Sequence, residues 1–115
     1  QKAGSVYFAA VDCTGHGVSG AFMSIIGLKL FDQTLTIPAI NSSGLVLDYL
    51  NKEIYKTVNK HSDNRYIIRD GMDASICTIS LTKMKLFFSG AKNPVYIVRN
   101  KVLHEIKGDN QPIGS

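Results

Sequence analysis

A run of apolar residues, Val6 to Val11, feeds straight into Asp12, then a glycine-rich turn, Cys13-Thr14-Gly15-His16-Gly17, then a segment with helical spacing. This succession leaves few options. The apolar run reads as a buried strand over residues 5–12, and the glycines permit a sharp reversal into a helix over 18–35. One carboxylate therefore stands at the mouth of a strand, where the sheet fixes it and the turn exposes it.

The rest of the chain alternates in the same blocks. In the first helix Phe22, Ile25, Ile26, Leu28 and Leu30 build a broad apolar face. Gly20 and Gly27 lower its intrinsic helicity by about 1 kcal/mol each, so they are expected to allow close packing onto a sheet. Pro38 disfavours helical geometry in Ile37 and ends the segment. Asn41-Ser42-Ser43 supplies N-cap residues for a second helix, running to about residue 60, with Leu47, Leu50, Ile54 and Val58 at helical spacing. A polar loop over 61–69 follows. Strands are then expected at 72–82, 84–90, 94–99 and 102–107, with turns at Thr82-Lys83, Ala91-Asn93 and Arg99-Lys101. The order predicts an α+β fold whose four last strands form an antiparallel meander. Because the strands are apolar on both faces, the sheet is expected to be covered on both sides.

With 115 residues and 44% hydrophobic content, the chain is one domain or most of one. Gln1 and Ser115 both sit hard against structured phrases, which reads as a partial domain cut from a longer protein. No apolar run reaches the 18 residues that would mark a membrane span, and no charged and apolar leader opens the chain. Cys13 and Cys77 read as free thiols of a reducing compartment, so the expected location is the cytoplasm. The net charge of +4 comes from scattered lysines, so no nucleic-acid surface is expected.

Three generic readings of the glycine-rich segment fail or stay weak. A phosphate-binding P-loop needs Lys and then Ser or Thr after its second glycine, and here Ala21 and Phe22 follow Gly20. Gly15, Gly17 and Gly20 match the dinucleotide spacing, but the downstream strands read as hairpins rather than a second βαβ unit. Cys13 lies three residues before His16, yet position 19 is Ser, not the Arg a cysteine-dependent phosphatase requires. Both cysteines read as small buried hydrophobes.

The metal reading is better. Asp70-Gly71-Met72-Asp73 places another carboxylate where the loop enters a strand. Asp12 and Asp73 could meet across neighbouring strand ends and hold a hard divalent cation, Mg²⁺ or Mn²⁺. Asp73 reads equally as a cap, and Asp70 reads as a turn residue. His61 and His104 read as solvated, as do Lys83, Met84 and Lys85. Tyr7, Phe8, Phe87, Phe88 and Tyr96 fall at strand spacing and read as core.

Taken together the phrases resemble a known family. Val11 to Ser24 looks like the Asp-x-x-Gly-His-Gly segment of PPM-type serine/threonine phosphatases, in the bacterial SpoIIE-like branch of the protein phosphatase 2C superfamily. Asp70 to Cys77 is similar to the branch's Asp-Gly-Met-Asp stretch. Ser89 to Tyr96 resembles its Gly-Ala-x-Asn-Pro hairpin, and Gln111 to Gly114 its Pro-Ile-Gly phrase. The four phrases stand in the family's order and cover nearly the whole chain.

The resemblance implies an antiparallel β-sandwich flanked by helices, in α-β-β-α layers, of which residues 1–115 form a single partial domain. It implies hydrolysis of phosphoserine or phosphothreonine with two Mg²⁺ or Mn²⁺ ions and an activated water. Asp12 matches the carboxylate that bridges the metals and so the catalytic position. Cys13 matches a position contributing its backbone carbonyl, which fits because a thiolate is too soft a ligand for Mg²⁺. Gly15, His16 and Gly17 would shape the turn, and Asp73 matches an acidic position near a further metal. The family's first acidic ligand lies upstream of Ser5 and its last beyond the Pro-Ile-Gly phrase. This chain alone is thus expected to bind metal weakly and turn over poorly. In this branch the substrate is often a phosphorylated antagonist of an anti-sigma factor, and a sensor domain often precedes the phosphatase. The competing reading is a degenerate, non-catalytic regulatory module that binds a partner protein.

Overall fold

Register partners run antiparallel across a three-stranded sheet in the order β1-β2-β3, built from β1 (Ser5–Cys13), β2 (Met72–Ser80) and β3 (Lys85–Ala91). The computed structural model describes residues 4–15, 17–59 and 71–114. Between β1 and β2 come α1 (Gly17–Thr34) and α2 (Ser43–Asn59), and after β3 a separate two-stranded ribbon of β4 (Val95–Arg99) and β5 (Val102–Ile106). The architecture is α+β, with every strand pairing antiparallel, and each element lies close to its expected position.

Both helices cover one face of the sheet. Side chains alternate along a strand, and the even positions of β2, from Met72 through Ala74 and Ile76 to Thr78 and Ser80, are all buried. Val46, Leu50 and Ile54 of α2, at spacings of four, pack on them with Met23 and Leu30 of α1. Burial of each large aliphatic side chain stabilises the fold by about 1.5–3 kcal/mol. Ser42 caps α2, its Oγ accepting from the Leu45 N–H at 3.2 Å. The Ser43 and Ser89 hydroxyls meet at 2.8 Å and tie the helix start to β3.

Three expectations are corrected. First, the last four strands do not form a continuous meander. The segment after β5 returns beside β3, where Asp109 N–H donates to Gly90 O at 2.8 Å and Lys92 N–H donates to Asp109 O at 2.7 Å. That return occupies the edge β4 would have used, so β4 and β5 pair with each other instead. Second, among the described residues the helices cover one face of the sheet, and the other carries no helical layer although Cys77 is buried on it. Phe8 and Leu86, on the opposite face, are exposed among the described residues, as are Phe87 and Tyr96, so these aromatics are not core. Third, α1 buries Met23, Gly27, Leu30 and Thr34, while Val18, Phe22, Ile25 and Leu28 face outward. Both cysteines are free thiols as expected, Cys77 buried and Cys13 half-buried. His104 and Lys83, Met84 and Lys85 are exposed. His61 lies outside the described residues. Among the described residues no helix is long and apolar enough to cross a membrane.

Candidate metal centre

Asp12 and Asp73 are register partners across β1 and β2. Directly opposed residues in an antiparallel pair project from the same face. That face is the one away from the helices, because Asp73 falls between the buried positions Met72 and Ala74. Asp12 is exposed and Asp73 half-buried. Neither forms an ion pair among the described residues, and like charges directly opposed are destabilising without a counter-ion.

The hydrogen-bond alternation of the ladder decides what Cys13 offers. Thr14 N–H donates to Gly71 O at 2.8 Å, and at the other end Leu81 N–H donates to Gly4 O at 3.0 Å. Even-numbered residues of β1 therefore bond to β2, and odd-numbered residues turn their N–H and C=O groups off the edge. The Cys13 carbonyl therefore points away from β2, off the sheet edge. Its thiol side instead lines an apolar cavity of about 360 Å³ between β1 and α1, with Val11, Gly27 and Phe31.

The turn that follows is held from both sides. Gly71 N–H donates to Thr14 Oγ1 at 3.3 Å, so the Thr14 side chain takes the ladder bond its own carbonyl would have accepted. Gly15 and Gly17 adopt φ of 93° and 64°, backbone conformations that glycine reaches without strain. A Cβ on Gly20 would stand 3.0 Å from the Gly15 carbonyl oxygen, so the start of α1 lies directly against the turn. Sequence reasoning identified the glycines and missed Thr14. The signal was a hydroxyl residue between the carboxylate and the first glycine, where a side chain can bond a neighbouring backbone.

His16 and Asp70 lie outside the described residues. Asp12 and Asp73 thus present two opposed carboxylates, oxygen donors of the kind a hard cation takes. Among the described residues no cluster of three or more His, Cys, Asp or Glu side chains forms a fuller cage. The chemistry of the donors fits Mg²⁺ or Mn²⁺ in kind, and their number fits a weak site.

No protein-family model and no curated protein matches the chain. Solved structures do. The chain is similar to the SiaA-PP2C domain of Pseudomonas aeruginosa, at 23% identity and a TM-score of 0.73, covering 96% of this chain and 46% of that one. It is also similar to a Stage II Sporulation E family protein from Thermanaerovibrio acidaminovorans, at 14% identity and a TM-score of 0.72, covering 91% of this chain and 48% of that one. The chain spans about half the length of these structures. Two helices laid on one face of an antiparallel sheet thus share a PP2C/SpoIIE-like fold over about half the length of these two structures.

Proposed function

We propose that this chain contributes the metal-holding strand, turn and helix of a protein serine/threonine phosphatase dependent on Mg²⁺ or Mn²⁺. The observation that supports it most directly is the Asp12–Asp73 register pair. When bound, two such ions supply Lewis-acid chemistry, acidifying water and offsetting charge on phosphoryl oxygens. Asp12 would hold both ions, Cys13 would add its backbone oxygen, and Asp73 would hold a further one. Gly15 and Gly17 shape the turn through their positive φ. The Thr14–Gly71 bond keeps the carboxylate aligned with the strand, and α1 packed on Gly15 limits movement of the turn. The substrate class is a phosphoserine or phosphothreonine side chain in a regulatory phosphoprotein, such as an anti-sigma factor antagonist. A sensor domain in the same polypeptide and a cytoplasmic location complete the proposal.

The test uses Mn²⁺ titration of this chain and hydrolysis of a phosphoseryl peptide by a longer chain of the same gene. Weak Mn²⁺ binding lost in Asp12→Asn, with Mn²⁺-dependent hydrolysis by the longer chain, is the expected result. A longer chain that binds Mn²⁺ but releases no phosphate overturns the enzyme reading in favour of a binding module.

A further inference from the structure

The outer face of α1 carries a pattern of its own. Val18, Ala21, Ile25 and Leu28 follow one another at spacings of three, four and three, which are the a and d positions of a heptad repeat. They lie across the helix from the buried Met23, Gly27 and Leu30. Val18 is 73% exposed, Ile25 62% and Leu28 66%, with Phe22 beside them at 62%. No charged residue interrupts α1 from Gly17 to Leu28, and Lys29 and Asp32 close the stripe at its C-terminal end.

Four large side chains, each leaving roughly 100 Å² of apolar surface open, give the stripe about 400 Å². Apolar patches of that size on a soluble protein ordinarily mark a contact surface. Two such stripes face to face, with Ser24, Lys29 and Asp32 at their margins, bury on the order of 1,000 Å², the scale of the smallest specific interfaces.

We propose that this stripe pairs with the same stripe of a second copy of the chain, the two α1 helices running antiparallel about a two-fold axis near Phe22. In that register Val18 packs on the partner's Leu28 and Ala21 on the partner's Ile25, small against large, while the two Phe22 rings flank the axis. Charge selects the direction. Asp32 continues the stripe one turn beyond Leu28, so a parallel pair would hold it against the partner's Asp32. Antiparallel pairing carries it instead to the start of the partner's α1, where the helix dipole is positive and the first turn holds no acidic residue. An interface this small dissociates on dilution, so the dilute chain is a monomer whose unfolding barely responds to truncation on this face. The pairing does not rest on the phosphatase reading.

Sedimentation equilibrium of the protein over roughly 10 μM to 1 mM tests the pairing, because a weak dimer populates within that range. The mass is expected to rise from one chain toward two. Ile25→Lys, at an exposed position, should hold the mass at one chain throughout, while melting at nearly the wild-type temperature in dilute solution. Phe22→Ser should weaken pairing at least several-fold, again with melting unchanged. Leu103→Lys, at an exposed apolar position of β5, should leave pairing as it is. Asp32→Asn separates the two directions, since it weakens an antiparallel pair by about 2–5-fold through the lost dipole contact and tightens a parallel one. A chain that stays monomeric at the highest concentration overturns the inference. So does a pair that survives Ile25→Lys and Phe22→Ser, is abolished by Leu103→Lys, or is tightened by Asp32→Asn.

Discussion

Asp12 and Asp73 stand opposite each other in the β1–β2 ladder, the last carboxylate of one strand facing the first of the next. Without a cation the two negative charges repel, by a few tenths of a kcal/mol at so exposed a site. Asp73→Asn is therefore expected to raise the melting temperature slightly in metal-free, low-salt buffer. The same change should reduce Mn²⁺ affinity at least several-fold, and Asp12→Asn should reduce it more. Melting in EDTA alongside calorimetric Mn²⁺ titration reads both effects. A variant that lowers stability in EDTA would show that the pair is held by contacts other than a cation.

How far such an arrangement can be read in advance depends on the residue. The strand carrying Asp12 and the turn at Gly15 were legible because an apolar run meeting glycines permits little else. The meeting of Asp12 with Asp73 was legible only as an option, since register across 60 residues is set by packing rather than by local pattern. The buried face of α1 was not legible. Apolar residues lie all around that helix, so periodicity alone does not separate Met23 and Leu30 from Phe22 and Ile25. Ile113 was missed for another reason. Its phrase reads as a turn, yet it exchanges backbone hydrogen bonds with Met72 at 3.1 and 2.9 Å and joins the core. Only the return of the chain beside β3 explains why.

Gly27 shows close packing at its limit. A Cβ there would fall 2.6 Å from Met72 Cε, and Met72 is itself in the core. Gly27→Ala gains about 1 kcal/mol of helix propensity. The Cε it meets is the free end of a flexible side chain, which can swing aside for less than the about 1–3 kcal/mol that overpacking a rigid core costs. Gly27→Ala is therefore expected to be near neutral. In a Met72→Ala background, with no Cε to move, the alanine should become clearly stabilising. A double-mutant cycle by urea unfolding measures the difference, and additive effects would refute the contact.

The two faces of the helical layer should respond very differently to truncation. Leu50 is 1% exposed and Phe22 is 62% exposed, although Phe22 is the larger side chain. Leu50→Ala is expected to cost about 2–5 kcal/mol. Phe22→Ala is expected to stay within about 0.5 kcal/mol. Denaturant midpoints of the two variants decide the matter. A large loss for Phe22→Ala would mean that the outer face of α1 is covered in solution, and a concentration-dependent midpoint would identify a second copy as the cover.

Cys77 sits between Phe8 and Phe88, its register partners on β1 and β3, on the face away from the helices. Burial pushes its thiol above the ordinary value, since the thiolate would lose hydration there. While folded and unfolded chains both keep the proton, this shift leaves stability unchanged. Once pH rises past the ordinary thiol range, about 8.5, the unfolded chain ionises first and folding stability falls. Cys77→Ala should remove that part of the alkaline loss, read as a smaller drop in melting temperature between pH 8 and pH 10 (assay values on the order of the thiol range). Alkylation gives the second reading. Cys13, half-buried at the edge of β1, should react with iodoacetamide well before Cys77, because the thiolate is the nucleophile and burial suppresses it. Equal labelling rates would show that the sheet face over Cys77 opens readily.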